Sequence, residues 1–356
     1  MNSSMSTIRP ESRVVVSMGD PAGIGPEIVV QCFRQGDVSA ANCVVVGLPN
    51  ALQRAQASIL ARCPGALPMP IVETAEWDEA VQAPPGSIPV WVPPGLGRAL
   101  PDWGQACATG GRAAAACVRE AARLCLVGQA KALVTAPIHK AGLAAAGEPF
   151  PGHTEMLQAL AAQFLGQPIE QVPVRMMLAN TSLRTVLCSI HVSLREAIEA
   201  VRAENILATL VIADNALGRW LGRRPHLAVA GLNPHAGEGG LFGREEIEHI
   251  EPAIARARDM GLLTSGPWPP DTVFMKARTD RSIDAVIAMY HDQGLIPIKY
   301  LGLEDGVNVT LGLPFVRSSP DHGTAYDIAG KGIADHRSMT SAIAAAHALA
   351  AGQITF

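Results

Sequence analysis

Three short apolar runs, each passing into a polar segment that carries a histidine, constrain this chain more than any other feature. Residues 284–294 read DAVIAMYHDQG, where small and β-branched side chains from Ala285 to Met289 suit a buried strand. The run then breaks into Tyr290, His291, Asp292, Gln293 and Gly294. Residues 185–190 (TVLCSI) deliver His191 in the same way, and residues 227–232 (LAVAGL) deliver Asn233, Pro234 and His235. Ligands in open α/β sheets bind outside the carboxyl ends of the strands, so three histidines there point to a metal site. Imidazole suits a borderline divalent ion, and three protein ligands with an open position make a catalytic rather than a structural centre. The spacing itself is not of the HExxH kind; the shared place at strand ends carries the reading. The competing reading is three unrelated histidines in polar loops.

The rest of the chain repeats the alternation of strand and helix. Residues 14–17 read as a strand, a glycine-rich turn follows, and Pro26 and Glu27 suit the first turn of a helix. Further strands are expected at 43–46, 132–134, 174–178 and 185–190, the last two pairing, with strand and loop over 306–317. Helices are expected at 51–62, 109–126, 155–164, 193–217, 245–260 and 339–351, with Ser193 and Glu196 forming a capping box. The proline-rich stretch 64–105 reads as short strands and loops, and residues 1–12 as a mobile tail. No repeat interrupts the pattern, which defines an α/β class. At 356 residues, two domains are expected.

Composition narrows the function. A net charge of −4 and 4% aromatic residues provide neither a basic field nor stacking platforms for nucleic acid. No apolar run approaches the ~20 residues that span a bilayer, and the polar first dozen lacks a secretory h-region. The seven cysteines have no CxxC spacing and read as reduced core residues. These features fit a cytoplasmic metabolic protein.

Polar residues inside apolar segments supply the remaining candidates. Lys299, Asn308 and Arg317 each sit in such a segment (LIPIKYLG, GVNVTLG, LPFVRSS), where a charge must be paired or line a site. Together they suggest an anionic substrate, with Arg317 able to fork onto carboxylate or phosphate. His153 and Thr154 stand where a loop meets a helix, a place for an anion cradle, although Thr154 alone serves equally as an N-cap. Asp292 and Asp271 are candidates for orienting a ligand imidazole; Asp271, beside Pro269 and Pro270, is as readily a turn residue. The loop 236–240 lacks the Walker spacing and its lysine, and no GxGxxG follows the first strand.

Seven ordered motifs carry a family resemblance: GDPAGIGPE (19–27), TAPIHK (135–140), GHTE (152–155), GLNPHAGEGG (231–240), MYHDQG (289–294), GVNVTLGLPFVR (306–317) and DHGTAYDIAGKG (321–332). Together they resemble the 4-hydroxythreonine-4-phosphate dehydrogenases of pyridoxal phosphate biosynthesis. The resemblance implies an isocitrate/isopropylmalate dehydrogenase-like fold of two α/β domains flanking a cleft, residues 1–145 with 322–356 forming the first and 146–321 the second. It implies a homodimer with its active site at the interface, NAD or NADP as cofactor, and one divalent metal (Zn, Mg or Co) per subunit. By motif, His191, His235 and His291 resemble the metal ligands, and His153, Thr154, Lys299, Asn308 and Arg317 the substrate contacts. Lys299 or Asp292 is the expected proton-transfer group, with Asp271 a further catalytic candidate; the dinucleotide contacts are unassigned. The alternative the resemblance implies is a side branch of the family that oxidises 4-phospho-threonate, 4-phospho-erythronate or a cis-dihydrodiol carboxylate of the terephthalate type. A non-catalytic metal-binding protein of the same fold is the alternative of another class.

Overall fold

The computed structural model describes residues 13–36, 40–302 and 306–354; the expected tail 1–12 lies outside them. Twelve strands form one sheet: β1 Val14–Ser17, β2 Cys43–Val46, β3 Ile71–Thr74, β4 Ile88–Trp91, β5 Ala132–Thr135, β6 Arg175–Ala179, β7 Arg184–Leu187, β8 His226–Ala230, β9 Leu263–Trp268, β10 Ala285–Ala288, β11 Val307–Leu311 and β12 Val316–Pro320. Their spatial order is β3-β4-β2-β1-β5-β12-β11-β6-β7-β10-β8-β9. The two flanks are parallel, and the middle is antiparallel, β12 to β11 to β6 to β7. Burial explains the sequence pattern: β1, β2, β5 and β10 are buried at every position, as continuous apolar runs with helices on both faces require. Among the described residues no helix is long and apolar enough to cross a membrane. Five cysteines (Cys32, Cys43, Cys117, Cys125 and Cys188) are buried and unbridged, as core residues should be.

The α/β alternation is as the sequence implied, and β6 and β7 pair as expected. Three elements differ. The helix expected over 193–217 is two, Leu194–Glu199 and Ala203–Leu221, with the capping box of Ser193 and Glu196 in place at the start. Between them Val201 turns into the core and Asn205 Nδ2 donates to the carbonyls of Ala200 and Cys188 (3.1 and 3.2 Å), satisfying the broken end. The helix expected over 245–260 begins as a wide turn, Glu246–Ile250, before regular helix Glu251–Asp259, because Pro252 has no N–H for the preceding turn. Within 64–105 a short helix, Trp77–Val81, joins β3 and β4.

β7, β10 and β8 are parallel neighbours, so their carboxyl ends open on one edge. Ser189 Oγ donates to the Met289 carbonyl (2.9 Å), joining the ends of β7 and β10. Gln293 joins β10 to β8, accepting from Met289 N and donating to the Gly231 carbonyl, both at 2.7 Å. The helix His291–Leu301 lies so close to the sheet that a Cβ on Gly294 would meet Leu187 Cδ2 at 2.4 Å. Only glycine lets that helix seat His291 at the sheet edge.

Candidate active site

A cavity of about 640 Å³ opens at the carboxyl ends of β5, β7, β10 and β12. Arg317, His153, Thr154, Lys299 and Asn308 line it, together with His191 and His291. Seven of the ten residues singled out in the sequence therefore share one space.

Arg317 lies on β12 and is 3% exposed. Its guanidinium donates to Thr310 Oγ1 (3.0 Å) and Thr135 Oγ1 (2.6 Å), both neutral. Among the described residues it has no ion pair with a carboxylate, and burial lowers its pKa to about 10, leaving it cationic at neutral pH. A buried charge held only by hydroxyls is costly by several kcal/mol and calls for an anion. His153 and Thr154 begin the helix His153–Leu165, whose N-cap is Gly152 and has no side-chain cap. Thr154 is thus not the cap, and its hydroxyl is left for the cavity. Burial first, then the Arg317 charge, holds the His153 imidazole neutral, well below the usual histidine range. Its Nε2 is buried without a hydrogen-bond partner. Free helix amides, an unpaired guanidinium and an orphaned imidazole nitrogen together make an anion cradle.

Lys299 Nζ pairs with Asp321 Oδ2 at 3.0 Å, presenting an ammonium to the cavity. Asn308 stands on β11 opposite Ser319, one strand from the guanidinium.

His191 and His291 lie with ring centroids 5.9 Å apart at 43°. Asp292 does not line the cavity; its Oδ1 accepts from His291 Nδ1 at 2.7 Å, which leaves the ring's Nε2 as the free ligand atom. Burial, then the charges of Lys140 and His291, depress the His191 pKa, keeping the neutral form a metal requires. This pair fits a metal. His235 does not join them: among the described residues no three His, Cys, Asp or Glu side chains converge within one chain. It stands exposed on Pro234–Gly240, where His235, Ala236 and Glu238 all adopt positive φ (53°, 52° and 45°). Non-glycine residues there cost about 1–2 kcal/mol each. The loop is held by the buried Glu246 carboxylate, which accepts from Leu232 N, Asn233 N and Asn233 Nδ2 at 2.7–2.9 Å. The strain is thus stored in the backbone and offset by a buried hydrogen-bond network. Asp271 is exposed in the turn before the helix Val273–Thr279 and lines no part of the cavity.

Sequence reading missed six polar lining residues: Thr135, Lys140, Glu155, Ser319, Asp321 and His322. Five lie inside the quoted motifs TAPIHK, GHTE and DHGTAYDIAGKG, and Ser319 lies just before the last of these; their polarity at strand and helix ends was the available signal.

The comparisons with known proteins fit this architecture. A solved 4-hydroxythreonine-4-phosphate dehydrogenase from Klebsiella pneumoniae superposes with a TM-score of 0.81 at 39% identity, over 95% of this chain and 99% of that one. The fold is that of an α/β dehydrogenase. The family described as pyridoxal phosphate biosynthetic protein PdxA matches residues 39–346, and the chain belongs to it. A 4-hydroxythreonine-4-phosphate dehydrogenase of Beijerinckia indica subsp. indica is 48% identical, over 92% of each chain. A D-threonate 4-phosphate dehydrogenase of Salmonella typhimurium is 41% identical, over 95% of this chain and 98% of that one.

Proposed function

We propose that this chain oxidises 4-phosphohydroxy-L-threonine at its C3 alcohol, with NAD or NADP and one divalent metal (Zn, Mg or Co), and that decarboxylation gives 3-amino-2-oxopropyl phosphate. The observation that carries it is the buried Arg317 guanidinium, unpaired by carboxylate, sharing one cavity with His191 and His291. A phosphate matches the first group, and a chelating alcohol and carboxylate match the second.

Arg317, His153, Thr154 and the amides opening the helix His153–Leu165 hold the phosphate and fix the substrate's direction. His191 and His291 would hold the metal, Asp292 orienting the second. A divalent ion held there would supply Lewis acidity that eases ionisation of the alcohol and offsets the charge left when CO2 departs, and a nicotinamide would supply the hydride acceptor. Lys299, placed by Asp321, donates the proton that C2 takes after CO2 leaves. A Lys299→Met variant with near-normal turnover would remove that role.

His235 is the third ligand in this reading, supplied by a second copy. The strained, outward presentation of its loop supports that, as do exposed apolar side chains nearby in sequence, Leu241 and Phe242. The catalytic unit is then a homodimer. In this reading residues 1–145 with 322–356 form one domain and 146–321 the other, and the pairing of β5 with β12 across that boundary supports a cavity between them.

The test is NAD- and NADP-linked turnover with Zn2+, Mg2+ or Co2+ on 4-phosphohydroxy-L-threonine, beside D-threonate 4-phosphate and a cis-dihydrodiol dicarboxylate. Turnover of the amino substrate that chelation abolishes and metal restores is the expected result. Should only another substrate be oxidised, the substrate falls while the metal site stands. Mixing inactive His191→Ala and His235→Ala proteins should restore about a quarter of wild-type activity through mixed dimers with one intact site. No recovery would place all three ligands in one chain.

A further inference from the structure

We propose that Glu155 receives the substrate's ammonium group and so sets a preference for an amino acid over the corresponding hydroxy acid, an assignment that rests on the substrate proposed above. The cavity is strongly cationic: Lys140, Lys299 and Arg317 all line it, and two carboxylates oppose them, Glu155 and Asp321. Asp321 is committed to Lys299 at 3.0 Å. The other carboxylates around the site are also engaged. Asp20 accepts from Tyr326 Oη at 2.5 Å, Glu27 from the amides of Gly330 and Gly332, and Asp292 from His291. Glu155 alone lines the cavity without a hydrogen bond or ion pair among the described residues. Its negative charge partly offsets the lowering of the Arg317 pKa by burial. Glu155 lines the same cavity as the metal-binding pair and the anion cradle.

An uncommitted carboxylate in a cationic cavity matches the substrate's own charges. In 4-phosphohydroxy-L-threonine the ammonium on C2 stands between the C1 carboxylate and the C3 alcohol, which chelate, while the phosphate on C4 goes to Arg317. A cation entering this cavity needs a carboxylate acceptor, since desolvating an unpaired ammonium is costly. A hydroxyl on C2, as in D-threonate 4-phosphate, gains much less from a charged acceptor, because it brings no opposite charge.

The competing role is structural. Glu155 lies in the first turn of the helix His153–Leu165, where a carboxylate favours the macrodipole, and its Oε2 lies over Gly152. The two roles separate in a substrate comparison. With the metal-loaded full-length dimer, Glu155→Gln should lower kcat/KM for 4-phosphohydroxy-L-threonine by at least about 30-fold. Binding of D-threonate 4-phosphate, read as its inhibition constant, should change less than about threefold. Glu155→Asp should recover part of the amino-substrate activity, and the melting temperature of each variant controls for folding. Equal losses on both ligands, or none on either, would overturn the assignment while leaving the proposed reaction intact. A wild-type protein that neither binds nor oxidises the amino substrate would overturn both.

Discussion

Arg317 and His153 depend on each other, and each should respond in its own way to substitution. Lysine at position 317 keeps the charge but cannot fork between Thr135 and Thr310. Arg317→Lys is expected to lower kcat/KM by ~100-fold with little change in nicotinamide affinity, measured by steady-state kinetics and cofactor titration. His153 titrates below its unfolded value, so the unfolded chain binds the proton more readily. Its stabilising contribution is complete above the ordinary histidine pKa of about 6.5 and is lost as pH falls through that value towards the depressed one. The melting temperature should therefore drop between pH 8 and 5, and His153→Asn should drop less. An equal slope in both would show the imidazole to be unperturbed. Much of this was legible one residue at a time, because a lysine, asparagine or arginine inside an apolar run has few fates. The pairing was not. That Asp321 takes Lys299 while Arg317 goes without a carboxylate depends on which strand ends meet, and no local pattern encodes that.

At the scale of elements, the loop Pro234–Gly240 is a strained segment fastened by one buried side chain. Removing the Glu246 carboxylate leaves three N–H donors without their acceptor. Glu246→Ala is expected to cost about 3 kcal/mol in denaturant unfolding and to weaken metal binding even where the fold persists. Unchanged metal affinity in a folded variant would show that the loop's shape does not matter to the ligand it carries. Local chemistry made several elements readable: the capping box at Ser193, the proline at the start of Gly25–Arg34, the fully apolar strands. Elements decided by distant contacts were not. The break after Glu199 is stabilised by an asparagine reaching back to Cys188, and the three histidines, correctly placed at neighbouring strand ends, separate because one loop runs left-handed. Sequence shows where a strand stops, but not which way the backbone turns next.

At the scale of the whole molecule, the proposed dimer predicts that Phe242→Glu lowers the sedimentation mass and activity together. A monomer that keeps full activity would confine the site to one chain. A further consequence lies in how β5 meets β12. Only three residue pairs, Val316 with Ala132, Arg317 with Leu133 and Ser318 with Val134, join one parallel flank of the sheet to the antiparallel middle there. Arg317 sits in that seam and reaches across it to Thr135 at the tip of β5. An anion drawn to the guanidinium therefore acts as a rivet through the join, and its binding energy should appear as mechanical cohesion of the entire sheet. Inorganic phosphate at 100 times its dissociation constant would then raise unfolding free energy by about 2.7 kcal/mol in one cooperative transition, with hydrogen exchange slowed on both flanks. Protection confined to one flank would mean that the seam does not transmit the load.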